Sequence, residues 1–203
     1  MHVFLETNFV LELALRQQEY NYCERIRQQA RSTPPPYTLY VPHYALSEAF
    51  QRLRPLKSER AQYEQYVLTQ IEQHLREDDS DADAMDAFKR TLTTLLAERT
   101  RTQTQRLYSI VAELIEEAPG PALTPTSVAE AQELAERHGL QVQDALIYAC
   151  VLAAMRELPA DAPKLFVSRN RQDFSKSSIL EELNRLNSDY VATFQAAAGK
   201  LRV

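Results

Sequence analysis

This 203-residue sequence predicts an α/β fold: a short, mainly parallel central sheet flanked by helices, with an inserted helical hairpin. Three observations lead there. Short apolar β-prone runs recur at HVFLE, TLYVP and KLFVS. Each is followed by sequence with helical spacing, the pattern of βαβ units. The long stretch 58–118 is helical throughout and holds no β-run, so it reads as an insertion within a single domain spanning 1–203.

The elements follow in order. HVFLE opens the chain as a strand, and TNFVLELALRQQEYNYCERIRQQA continues it as a helix with Val10, Leu13 and Ala14 on one face. Thr7 or Asn8 is the expected cap, which puts Glu6 at the strand-to-helix junction. Pro34 to Pro36 cannot continue a helix. TLYVP is the second strand and HYALSEAFQRLR the next helix, with Glu48 one turn inside it. In the insertion, Tyr63, Val67, Ile71 and Leu75 recur every four residues, and Phe88, Leu92, Leu95 and Leu96 begin a second stripe. The acidic run at 77–83 lies between the stripes as the expected turn. It lacks the closing Gly and Glu of a calcium loop. Ser127 and Glu130 form a candidate capping box, and Gly139 ends that helix. DALIYACVLAAMREL is small and apolar, so it should be buried on most sides with Asp144 in its first turn. KLFVS is the third strand, followed by the polar RNRQDF, a helix around ILEELNRL and a short strand at DYVATF.

Composition removes several classes. Gly120, Gly139 and Gly199 are the only glycines, too few for a dinucleotide or P-loop phosphate cradle. A net charge of −5 argues against nucleic acid held by the overall field, but leaves room for local basic surface. Cys23 and Cys150 lack metal-ligand spacing and read as buried free thiols of a reducing compartment. No apolar run is long enough to span a membrane, and the start does not read as a signal peptide, so the expected location is the cytoplasm.

The chemistry gathers at the strand ends. Glu6 closes the first strand, Glu48 follows the second, Asp144 opens the buried helix, and Asp173, with Asn170 beside it, follows the third. In a parallel sheet ligands bind beyond the carboxyl ends of the strands. Carboxylates crowded there beside apolar sequence repel one another unless a cation joins them, and hard oxygens suit Mg²⁺ or Mn²⁺. Each acid also has an ordinary structural use: Glu6 and Asp144 at helix N-termini, Glu48 paired with Arg52, Asp173 in a turn.

The segments HVFLETNFVLEL, PHYALSEAF, AEAQELAERHGLQVQDALIYACVLA and LFVSRNRQDF together resemble the PIN-domain ribonucleases, a group that includes the VapC-like toxins. The resemblance covers about the first 55 residues and 122–195, leaving the hairpin outside it. It implies a three-layer PIN-like fold and a Mg²⁺- or Mn²⁺-dependent endoribonuclease. Glu6, Glu48, Asp144 and Asp173, with Asn170, would hold the metal. Thr7, Asn8 and Ser168 would support it, with Asn8 and Ser168 also placed toward the RNA substrate. RNA and a protein antitoxin are the implied partners, and the apolar stripes of the hairpin point to a homodimer. The chain departs from the pattern where Glu6 stands for the usual aspartate and Asn170 stands where aspartate is common. The alternative is a catalytically weak or inactive PIN-like module that binds RNA or a protein. A third reading is an interaction protein whose hairpin drives dimerisation. Candidate RNA contacts are Arg169, Arg171 and Lys176, then Arg52, Arg54 and Lys57, with Arg99, Arg101 and Arg106 on the hairpin. His43 and Tyr44 are candidates for stacking on a base.

Overall fold

The structure, a computed structural model, describes residues 1–77 and 82–203, and the side chain of residue 77 is left out. The expected acidic turn at 77–83 therefore falls mostly outside the described residues. In chain order the elements are β1 (His2–Leu5), α1 (Thr7–Leu15), α2 (Tyr20–Ala30), β2 (Thr38–Tyr40), α3 (His43–Glu77), α4 (Ala82–Glu117), α5 (Pro125–His138), α6 (Val142–Glu157), β3 (Lys164–Val167), α7 (Arg171–Phe174), α8 (Ser177–Arg185), β4 (Ser188–Val191) and α9 (Phe194–Leu201).

The four strands form one sheet in the order β2-β1-β3-β4, and every pairing is parallel. Register aligns Val3 with Leu39 and Leu165, and Phe166 with both Phe4 and Tyr190. Val3, Phe4, Leu5, Leu165, Phe166 and Val167 are wholly buried, as a parallel sheet covered by helices requires. Phe166 meets Phe174 edge-on at 5.1 Å, and Tyr148 lies 5.7 Å from Phe174, locking α6 and α7 to β3. The chain runs from β1 to β2 on one side and reaches β3 on the other. The crevice beyond the ends of β1 and β3 is therefore a topological switch point.

The chain divides into two compact units, residues 1–49 with 107–203, and residues 50–106. The first holds the sheet. Its α6 is buried through Ala145, from Ile147 to Leu152 and at Met155, as its composition predicts. Cys23 and Cys150 are buried free thiols. The second unit consists of the inner parts of α3 and α4.

Four local expectations are corrected. The first helix is two helices, because Arg16 takes a left-handed backbone (φ 50°) and ends α1. The cap of α1 is Glu6, whose side chain accepts from the Asn8 amide, rather than Thr7 or Asn8. Proline at the first position starts α5 earlier than expected. Thr124 is its cap, and Ser127 reciprocates where Glu130 was expected to. The helix after β2 does not stop before the insertion, since α3 runs unbroken through Pro55.

The junction that launches α3 is tightly built. The Val41 amide donates to Ala118 O and the His43 amide to Pro121 O. A Cβ on Gly120 would lie 1.7 Å from Val41 O, a backbone atom that cannot turn aside. Gly120→Ala should therefore cost about 1–3 kcal/mol as overpacking. Urea denaturation of the variant measures this, and an unchanged midpoint would contradict the close approach.

Candidate active site

β1 ends at Leu5, and the next residue turns into α1. That turn makes Glu6 both the helix cap and the first acid at the crevice. Glu6 is 4% exposed. Its Oε2 accepts from the Asn8 amide at 3.0 Å and its Oε1 from the Arg169 amide at 3.3 Å, so it joins the end of β1 to the segment after β3. Burial drives its pKa up to about 7, the two backbone amides and the Asn8 side chain pull it back, and the charge of Glu48 adds to the rise.

Glu48 sits on the buried face of α3, 4% exposed, and its Oε2 accepts from the Thr7 hydroxyl. The Tyr44 hydroxyl, one turn earlier on α3, is raised by burial and by the charge of Glu48. Asp144 stands in the first turn of α6 as predicted. Asn170 bridges it to Asp173: one amide group donates to Asp144 Oδ2 at 3.1 Å and to Asp173 Oδ2 at 2.7 Å. The Asn170 backbone amide donates to the Ser168 hydroxyl at 3.1 Å, and Ser168 is fully buried. Lys176 holds Asp173 at 3.3 Å while donating to the carbonyls of His138 (2.7 Å) and Gly139 (3.2 Å).

Glu6 and Glu48 are thus neighbours by charge and through Thr7. Asp144 and Asp173 are neighbours through Asn170. Segment 168–170 ties the two pairs together. The four predicted acids therefore stand as two pairs joined by this segment. Among the described residues no three His, Cys, Asp or Glu side chains stand grouped as metal ligands. The Thr7 hydroxyl and the Asn170 amide donate to carboxylate oxygens that a bound cation would have to share.

The donor set itself suits a hard divalent ion: every candidate oxygen comes from a carboxylate, an amide or a hydroxyl.

Three further predicted residues, Asn8, Arg169 and Arg171, belong to the same segments as these acids. Asn8 is half-buried against Glu6, and Arg171 is exposed at the start of α7. Arg169 gives its guanidinium to Glu12 and its backbone amide to Glu6.

Glu12 was not among the candidates, yet it is the most buried acid of the region, with no exposed surface. It also accepts from the Glu19 amide at 2.8 Å, bracing the break between α1 and α2. The signal was present as a single acid inside FVLELAL. Tyr190 was also missed. Its hydroxyl donates to Ser168 O at 2.9 Å and steadies the same segment from β4.

Among the described residues no helix is long and apolar enough to cross a membrane. No curated protein and no solved structure matches the chain significantly. A family model described as PIN domain matches residues 3–174, from β1 through α7. That span is well over half of the chain and includes each acid discussed above; the chain therefore belongs to the PIN-domain family, whose members are generally nucleases.

Proposed function

We propose that the chain is a Mg²⁺- or Mn²⁺-dependent endoribonuclease that hydrolyses phosphodiester bonds of RNA by attack of water on phosphorus, leaving a 5′-phosphate. One observation carries this reading. The ends of β1 and β3 meet at the switch point of the sheet, where segment 168–170 links Glu6, a neighbour of Glu48 through Thr7, to Asp144 and Asp173, which share the Asn170 amide.

Glu6, Glu48, Asp144 and Asp173 would hold the ion, with the Asn170 carbonyl as a further oxygen. When bound, it supplies polarisation of the phosphodiester and a more acidic attacking water. The protein's own groups supply the rest. Glu6, raised to about 7 by burial in the metal-free chain, would give up its proton on taking the ion. Segment 168–170 is fixed by Tyr190 and by the Arg169–Glu12 pair, so the Asn170 amide stays aimed between Asp144 and Asp173. Asn8 and Ser168 orient the acids, and exposed Arg171 is placed to meet a phosphate. The family membership is consistent with a toxin held in check by a separate antitoxin chain in the cytoplasm. Tyr63, Tyr66, Phe88 and Leu95, exposed on the second unit, are consistent with a homodimer.

The test is cleavage of a labelled single-stranded RNA by the purified chain. Cleavage with Mn²⁺ or Mg²⁺ that stops in EDTA is the expected result; no cleavage with either metal would overturn the reading. A second reading, a PIN-like module that binds RNA or a protein without cutting, is favoured by the pairing of the acids through Thr7 and Asn170. It predicts RNA binding that neither metal nor EDTA changes.

A further inference from the structure

The second unit carries a feature that the nuclease site does not explain. Within it, α3 and α4 enclose a cleft of about 540 Å³. Lys57 and Arg60 line it from α3, Arg101 and three threonines from α4, and Glu64 is the one acid on its wall. Arg60 reaches across the cleft and donates from Nη1 to Thr100 Oγ1 at 3.3 Å. That partner is neutral. Burial, and then the charge of Arg99, lower the Arg60 pKa.

Two smaller depressions continue from this cleft. Thr93 borders all three, and Arg101 borders two. The row runs along α4 from Gln105 to Lys89, about 24 Å at the helical rise.

Five lysines and arginines line the row, Lys57, Arg60, Lys89, Arg90 and Arg101, against three acids, Glu64, Glu72 and Glu98, in a chain whose net charge is −5. Cations gathered along a groove, against the sign of the whole molecule, select an extended polyanion. A small phosphate would need only the first cleft, whereas the row has the reach of a strand.

We propose that this groove of the second unit, centred on Lys57, Arg60 and Arg101, binds the phosphate backbone of single-stranded RNA. The identity of the polyanion rests on the ribonuclease reading, but the binding does not require cleavage. Contact is to phosphate, so it carries affinity and little sequence choice.

The experiment uses the full chain in EDTA, with a fluorescein-labelled oligouridylate followed by anisotropy across a salt series. The double variant Arg60→Gln with Arg101→Gln should bind at least tenfold more weakly. Its plot of log affinity against log salt should be shallower by about 1.4, two contacts on a single strand. Arg60→Lys with Arg101→Lys should recover most of the affinity, which a loss of fold would not allow. Arg185→Gln with Arg202→Gln removes the same charge from the first unit and should stay within twofold of the parent. Polyglutamate should compete at least tenfold less well than unlabelled oligouridylate.

Unchanged binding by the first variant overturns the proposal. So does an equal loss in the charge-matched control, or equal competition by polyglutamate. A deoxyuridylate of the same length should bind comparably through the shared phosphates, and binding of the deoxy strand alone would overturn RNA as the ligand. Because EDTA stops metal-dependent cleavage, a chain that binds here and never cuts RNA disproves the ribonuclease reading and leaves the groove standing.

Discussion

Asp144→Asn and Glu48→Gln, each made singly, are expected to lower metal-dependent RNA cleavage by roughly 10²-fold or more. Both changes keep the shape of the side chain and remove its charge. Asp144 lies at the N-terminus of α6 and shares the Asn170 amide with Asp173, so the asparagine can still meet the same segment while offering a weaker ligand. Glu48 accepts from the Thr7 hydroxyl, and a glutamine can accept there too. Folding should therefore survive, with far-UV circular dichroism and urea midpoints close to the parent. A decisive outcome separates rate from stability. Parent-level cleavage by both variants would remove these acids from the chemistry.

The next largest expectation concerns Glu6 and pH. Its folded pKa stands near 7, against 4.5 for an ordinary glutamate. The folded chain then binds this proton more tightly than the unfolded chain does. Between pH 4.5 and 7 the folded state carries the extra proton, so stability falls as pH rises through that window. Above the folded pKa the whole penalty of a buried charge is present, about 3 kcal/mol for a shift of this size. Glu6→Gln removes the titration and keeps an acceptor for the Asn8 amide. Urea denaturation at pH 5 and pH 8 should show the parent losing about 2.5 kcal/mol more than the variant between the two. Parallel behaviour would show that solvent or a cationic neighbour already satisfies Glu6.

Much of this arrangement was legible in the sequence because strands and acids leave strong local marks. An apolar run ending in Glu6, and KLFVS followed by polar residues, are enough to place both sides of the switch point. The composition of α6 announced its burial, and Gly139 announced the end of α5 by the left-handed backbone it adopts (φ 60°). What escaped depends on distant partners. Arg16 takes a left-handed conformation without being glycine, and the amides after it are collected by Glu12, so RQQE shows no breaker. Thr124 outcompetes the expected cap because Pro125 suits the first helical position. The two-pair arrangement of the acids was invisible for the same reason. Acids at strand ends reveal that charge gathers there, but not that Thr7 and Asn170 interpose their own donors.

Soaking crystals in Mn²⁺ and recording the anomalous signal of the metal tests the central claim most directly. The account predicts a peak at the switch point, among the side chains of Glu6, Glu48, Asp144 and Asp173. Full Mn²⁺ loading with no peak there, the Thr7–Glu48 and Asn170–Asp144 hydrogen bonds remaining intact, would contradict it.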